Sequence, residues 1–220
     1  MPDLPPSRPD REAATISVTG TGRVSVRPDI ADLRLGVTIT AETVEAARAA
    51  NAAAMTAVID SLKAEGIADG DIQTANLNLS PAYDYSTNTN PPRLVGYTYS
   101  NTVAVTLRDL AQVPPAIDGA LAAGATSLES IVFRVADPSP AERRAREAAI
   151  ADARARAETL ASAAGVSITG VAAIAEATSG MPVPMYKGRM AAMAARDAST
   201  PVEAGTNELS VTVGVTYLIA

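Results

Sequence analysis

The chemistry open to a protein is bounded by its side chains, and this sequence contains neither histidine nor cysteine. Imidazole and thiolate supply most general bases, nucleophiles and transition-metal ligands near neutral pH, so zinc, haem and Ser-His-Asp chemistry are excluded. Three carboxylates, Asp29, Asp71 and Asp84, fall at predicted strand ends or loops, where active-site acids often lie, but no nucleophile with a plausible base accompanies them. Of the two lysines, Lys63 stands near the end of a predicted helix, where a cation is favourable, and Lys187 in a loop. Gly20-Thr21-Gly22 has the composition of a phosphate cradle. Such a loop needs a helix N-terminus directly after it, whereas Val24-Ser25-Val26 alternates as a strand, so the glycines mark a bulge or a close backbone approach. No cofactor and no metal are expected.

Residues suited to contact are better organised than residues suited to catalysis. If the segments around Asp84 and Thr98 pair about a loop centred near Pro91, Tyr83 falls opposite Tyr99 and Tyr85 opposite Tyr97, a four-ring ladder on one face. The ladder either holds an extended arm together or reaches a neighbouring subunit, since tyrosine combines contact area with a hydrogen-bonding tip. Four of the six methionines, Met181, Met185, Met190 and Met193, share one loop with Pro182, Pro184 and Gly188. Thioethers can bind Cu(I), take up oxidant as sulfoxide or form an adaptable subunit contact; sparse ligand spacing favours a mobile loop or contact over a copper site. These tyrosines and methionines form the candidate oligomer interface. Asn51 interrupts an apolar helical stripe, as a satisfied core amide or as a specificity device.

The elements that must carry these residues follow from periodicity. Ile16, Val18, Val24 and Val26 alternate, as do Ala31, Leu33, Leu35, Val37 and Ile39, which predicts a hairpin turning at Arg27-Pro28-Asp29. Val44, Ala47, Asn51, Met55, Val58 and Leu62 step by three and four, predicting a helix over 42–65 that stops at Gly66. Strands are expected over 72–85, 96–107, 131–135, 171–175 and 211–217, with a shorter helix between Asp109 and Gly124. Ser139-Pro140-Ala141-Glu142 reads as a capping box opening an Ala-rich helix that ends at Gly165. The fold class is α+β, with three helices packed on one side of a mainly antiparallel sheet and the last strand returning to the first hairpin. Two sandwich lobes are the alternative arrangement, 15–95 with 205–220 and 96–178, joined by a long loop over 179–205.

Composition sets the outer limits. Of 220 residues, 47% are hydrophobic and only 3% aromatic, so a large core must be built from Ala, Val, Leu and Ile. The net charge of −6 and the lack of a dense Lys/Arg run argue against nucleic acid as a partner. No apolar run has the length of a membrane span, and residues 1–14 read as a disordered leader without the basic start and apolar stretch of a signal peptide.

Taken in order, Ile16-Ser17-Val18-Thr19-Gly20-Thr21-Gly22 with Arg27-Pro28-Asp29, Asp71-Ile72-Gln73-Thr74, Pro81-Ala82-Tyr83, Gly96-Tyr97, Ser100-Asn101-Thr102-Val103, Leu160-Ala161 and Gly205 ahead of Val213 to Tyr217 resemble the SIMPL-domain family. The resemblance spans the chain from about Thr15. It implies an exported periplasmic or envelope protein whose signal has been removed, a homo-oligomer that encloses a channel or cavity, envelope or membrane components as further partners, a link to oxidative stress, and no established catalytic residue. A natural full-length chain without a signal would instead be cytoplasmic. The expected function is a non-catalytic scaffold; the alternatives are a monomeric ligand-binding module and a hydrolase of unknown substrate.

Overall fold

The computed structural model describes residues 13–85, 92–177 and 200–220, and the backbone of 183–185. Strands β1 (Thr15–Val26) and β2 (Ile30–Ala41) are followed by α1 (Val44–Ala64), β3 (Ile72–Asp84) and β4 (Arg93–Leu107). After a 3-10 turn come α2 (Val113–Ala122), β5 (Ser127–Arg134), α3 (Ser139–Ala164), β6 (Ile168–Ala177), β7 (Val183–Met185) and β8 (Thr206–Ile219). The strands form two four-stranded sheets with antiparallel pairing throughout, an α+β architecture. The described residues divide into two compact units, one of 27–85, 92–136 and 200–205, the other of 13–26, 137–177, 183–185 and 206–220. Residues 95 and 96, the expected lobe border, both lie inside β4, and no division falls there.

The unit of residues 27–136 holds the sheet β3-β4-β2-β5. Leu33, Leu35 and Val37 of β2 and Val103, Val105 and Leu107 of β4 alternate inward against Met55, Val58 and Leu62 of α1 and Val113, Ala116, Ile117 and Ala120 of α2. Full burial of each large aliphatic side chain contributes roughly 1.5–3 kcal/mol. Thr43 caps α1 by accepting a hydrogen bond from the Ala46 amide. Asp109 caps the 3-10 turn through the Ala111 amide, and the helix proper begins at Val113 with Pro114 and Pro115 in its first turn.

The other unit holds β1-β8-β6, with β7 pairing the start of β8. A stripe of Ala141, Ala145, Ala149, Ala153 and Ala157 on α3 packs against Val211, Val213, Val215 and Tyr217 of β8 and the valines of β1. Gly20 and Gly22 occupy the inward positions of β1 between Val18 and Val24, and a Cβ on either would run into the carbonyl oxygen of Ala149 or Ala145. The Gly-Thr-Gly sequence is therefore a seat for a helix backbone. Between the glycines, the outward amide of Thr21 donates to Asp152 Oδ2 at 2.8 Å, so a helix carboxylate occupies the free edge of β1.

Two expectations are corrected here. β1 and β2 are not a hairpin: β1 pairs β8 along its whole length, and β2 pairs β4 and β5 in the other sheet. Arg27-Pro28-Asp29 contains no glycine to supply the positive φ of a tight reversal, and proline disfavours the helical region for the residue before it, so the chain runs on into a second sheet. The predicted capping box is also replaced. α3 begins at Ser139, and Asp137 accepts from the Ser139 amide at 3.0 Å in place of a Ser139 cap. Hydrogen bonds from the Ser139 side chain and backbone hold the Asp137 carboxyl below its ordinary range.

Candidate functional site

β3 is the outer strand of its sheet, with β4 on one side and no strand on the other among the described residues. β2 ends opposite Tyr97, so the paired segments 81–84 and 93–96 extend past it as a two-stranded arm. A bulge between Ala82 and Tyr83 adds twist to this ribbon, and another between Thr74 and Asn76 lies in the sheet before it. Along the arm and the stretch of β3 that leads into it, Leu77, Leu79, Tyr83, Tyr85, Leu94 and Val95 are all exposed, from 42% for Tyr83 to 76% for Tyr85. Together they present apolar surface on the order of several hundred Å², the range in which a patch marks an interaction site.

The tyrosines are not a cross-strand ladder. Tyr99 pairs with Leu79, Tyr97 with Pro81, and Tyr83 with Leu94. Asp84 stands opposite Arg93 and not Thr98, and the bulge at Ala82/Tyr83 shifts the register further, so Tyr99, Tyr97 and Tyr83 stand opposite Leu79, Pro81 and Leu94 and not opposite one another. Tyr83 and Tyr85 instead meet edge to face, ring centroids 6.4 Å apart at 64°. Tyr97 and Tyr99 are half-buried at the root of the arm, and Tyr83 and Tyr85 are exposed at its outer end. Of the methionines in the candidate set, Met185 closes β7 opposite Thr206. Met181, Met190 and Met193 lie outside the described residues.

Sequence reasoning missed a second feature, a groove beside α3. The helix covers β1 and β8 and leaves β6 bare: Val171 lies beside Tyr217 in register, and Ile174 beside Val215, yet both are more than half exposed. The resulting open groove has a volume of about 610 Å³ and is lined by Arg154, Glu158, Ser162, Ser167, Thr169 and Tyr217 among others. Arg154 and Glu158 form an ion pair of 2.8 Å on its rim, and Tyr217, 4% exposed, lies at its base. The signal in the sequence was the composition of β6: Gly170, Ala172, Ala173, Ala175 and Ala177 leave a helix little to pack against.

The carboxylates proposed for chemistry have structural tasks. Asp29 accepts from the Ala136 amide at 2.7 Å, and Asp71 takes a two-pronged ion pair from Arg108. Asp84 stands opposite Arg93 in the arm. Asp32, not singled out from sequence, accepts from Arg134 and Thr106. Partial burial works to raise its pKa, and the Arg134 and Thr106 bonds outweigh it, leaving the carboxyl below its usual range. Among the described residues no group of three or more acidic side chains is placed to hold a metal ion, and no helix is long and apolar enough to cross a membrane.

Comparison with known proteins places this architecture. The chain is 38% identical over 214 residues to the 26 kDa periplasmic immunogenic protein of Brucella melitensis, covering 94% of this chain and 86% of that protein. It is 37% identical over 146 residues to the uncharacterized protein YggE of Escherichia coli K12, covering 66% of this chain and 58% of that protein. The family model described as SIMPL, protein of unknown function (DUF541), matches residues 16–217. That match runs from the start of β1 into the end of β8 and takes in both sheets, the arm and the alanine helix, so this chain belongs to the SIMPL family.

Proposed function

We propose that this chain is a non-catalytic cell-envelope protein that assembles with copies of itself through the β3–β4 arm, building a scaffold or enclosing a cavity. The observation that carries this reading is the arm with the stretch of β3 that leads into it: an open strand edge bearing Leu77, Leu79, Tyr83 and Tyr85 exposed together. Unpaired main-chain groups beside exposed apolar side chains are a template for pairing with another chain. The envelope placement is supported by the Brucella relatives, whose names describe them as periplasmic.

Light scattering on size-fractionated protein at several concentrations tests it. The expected result is a mass of several subunits independent of concentration. In the Tyr83→Ser/Tyr85→Ser variant the mass falls while the circular dichroism spectrum and denaturation midpoint stay put. A wild-type monomer, or a variant assembly of unchanged mass, defeats the arm as the interface.

The groove between α3 and β6 favours a second reading, a monomeric ligand-binding module, because its volume lies within the range of small-molecule sites. On that reading the wild type is a monomer, and Arg154→Ala weakens ligand binding without unfolding. A part in oxidative-stress protection has its own readout: sulfoxide forms faster at Met185 and Met190 than at buried Met55 if the methionine segment takes up oxidant. Equal rates remove that role.

A further inference from the structure

Asn51 sits in the middle of the apolar stripe of α1 and is 0% exposed. Its Nδ2 donates to two sheet carbonyls, Val37 O at 2.7 Å and Tyr99 O at 3.1 Å, so the amide bridges β2 and β4 from above. Those two bonds fix which way the carboxamide points, since the reverse orientation would set oxygen against oxygen. Its Oδ1 is consequently held in the helix–sheet seam, where it is buried with no hydrogen-bond partner. A second oxygen, Asn101 Oδ1, is buried in the same condition. Asn101 is the register partner of Val37 and stands two residues from Tyr99, so both carboxamides lie over the same stretch of β2 and β4.

Two buried acceptors over one stretch of the sheet need donors, and the Asn51 amide protons are already committed. We propose that Asn51 Oδ1 and Asn101 Oδ1 bind one buried water molecule, which donates a hydrogen bond to each and ties α1 to the root of the arm. Water fits this donor set because it supplies two protons from one small centre, and buried waters characteristically bridge otherwise unsatisfied polar atoms. A cation does not fit, because two neutral amide oxygens supply neither the charge nor the ligand number it needs, and among the described residues no acidic cluster is placed to hold one. The site lies where β4 passes from the core into the arm, two residues before which Tyr99 O is already held by Asn51.

A crystal structure of the wild-type protein at near-atomic resolution tests this directly. The expected result is a water at hydrogen-bond distance from both oxygens. Direct donation from the Asn101 side-chain nitrogen to Asn51 Oδ1, with no water between, overturns it. In solution, the Asn51 side-chain amide should show a long-lived water contact in rotating-frame Overhauser spectra of the wild type. That contact should disappear in Asn101→Leu while the amide spectrum stays dispersed, and its persistence at full intensity also overturns the proposal.

Discussion

At the scale of single residues, the most consequential side chains in the alanine-helix unit are two that are missing. Gly22→Ala would drive a methyl into the Ala145 carbonyl, backbone against backbone, and Gly20→Ala would do the same at Ala149. Such overpacking is expected to cost about 1–3 kcal/mol, read as a lower urea midpoint. Gly70→Ala is the control, since nothing lies within 4 Å of its added Cβ. Asp152 gives a pH-dependent counterpart. The Thr21 amide bond first, and the Arg156 bond second, hold its folded-state pKa below the ordinary value. That contribution to stability is therefore present above the unfolded Asp pKa and lost as pH falls through the lowered one. Asp152→Ala should lower the midpoint at neutral pH, and the gap from wild type should close in acid. The sequence made the glycine pair visible and pointed to a close approach, but not what approaches. Nothing in a local window links Gly20 to a helix carboxylate such as Asp152, 131 residues further on from Thr21.

At the scale of elements, periodicity was a good guide and pairing a poor one. The stripe Ala47, Asn51, Met55, Val58 and Leu62 is the buried face of α1, because a 3.6-residue repeat fixes a face without reference to any partner. Strand partners are set by register and by bulges, neither of which an alternating pattern encodes. The tyrosine ladder failed for that reason, and the β1–β2 hairpin failed because two alternating runs around a proline look alike whether they fold back or part. α3 was legible as an Ala-rich helix, while its narrow buried row, each alanine four residues from the next, gives no hint of how near the sheet lies. A larger side chain there is expected to be costly: Ala149→Leu should destabilise by about 1–3 kcal/mol or more. The same change at exposed Ala151 should be nearly silent in thermal melts.

At the scale of the whole molecule, two cores share one chain, and no local pattern in the sequence marks the border between them. The border was hidden because the chain leaves the β1 sheet after Val26 and returns to it only with α3, β6 and β8. Leu33→Ala, a fully buried position of β2, should cost about 2–5 kcal/mol. Hydrogen exchange should rise mainly in β2, β4 and β5, whereas Val213→Ala should act mainly on β1 and β8. The placement of β8 also orders events in time. It lies between β1 and β6, and Ser17 meets Thr216 across 199 residues of chain. When the chain is delivered N-terminus first, from the ribosome or across a membrane, residues 27–136 can complete their sheet early. β1 must wait, with its inner edge open, until β8 has been made. The fold thus leaves its first strand as a late-closing latch, and the interval before closure is when a holding chaperone would find it.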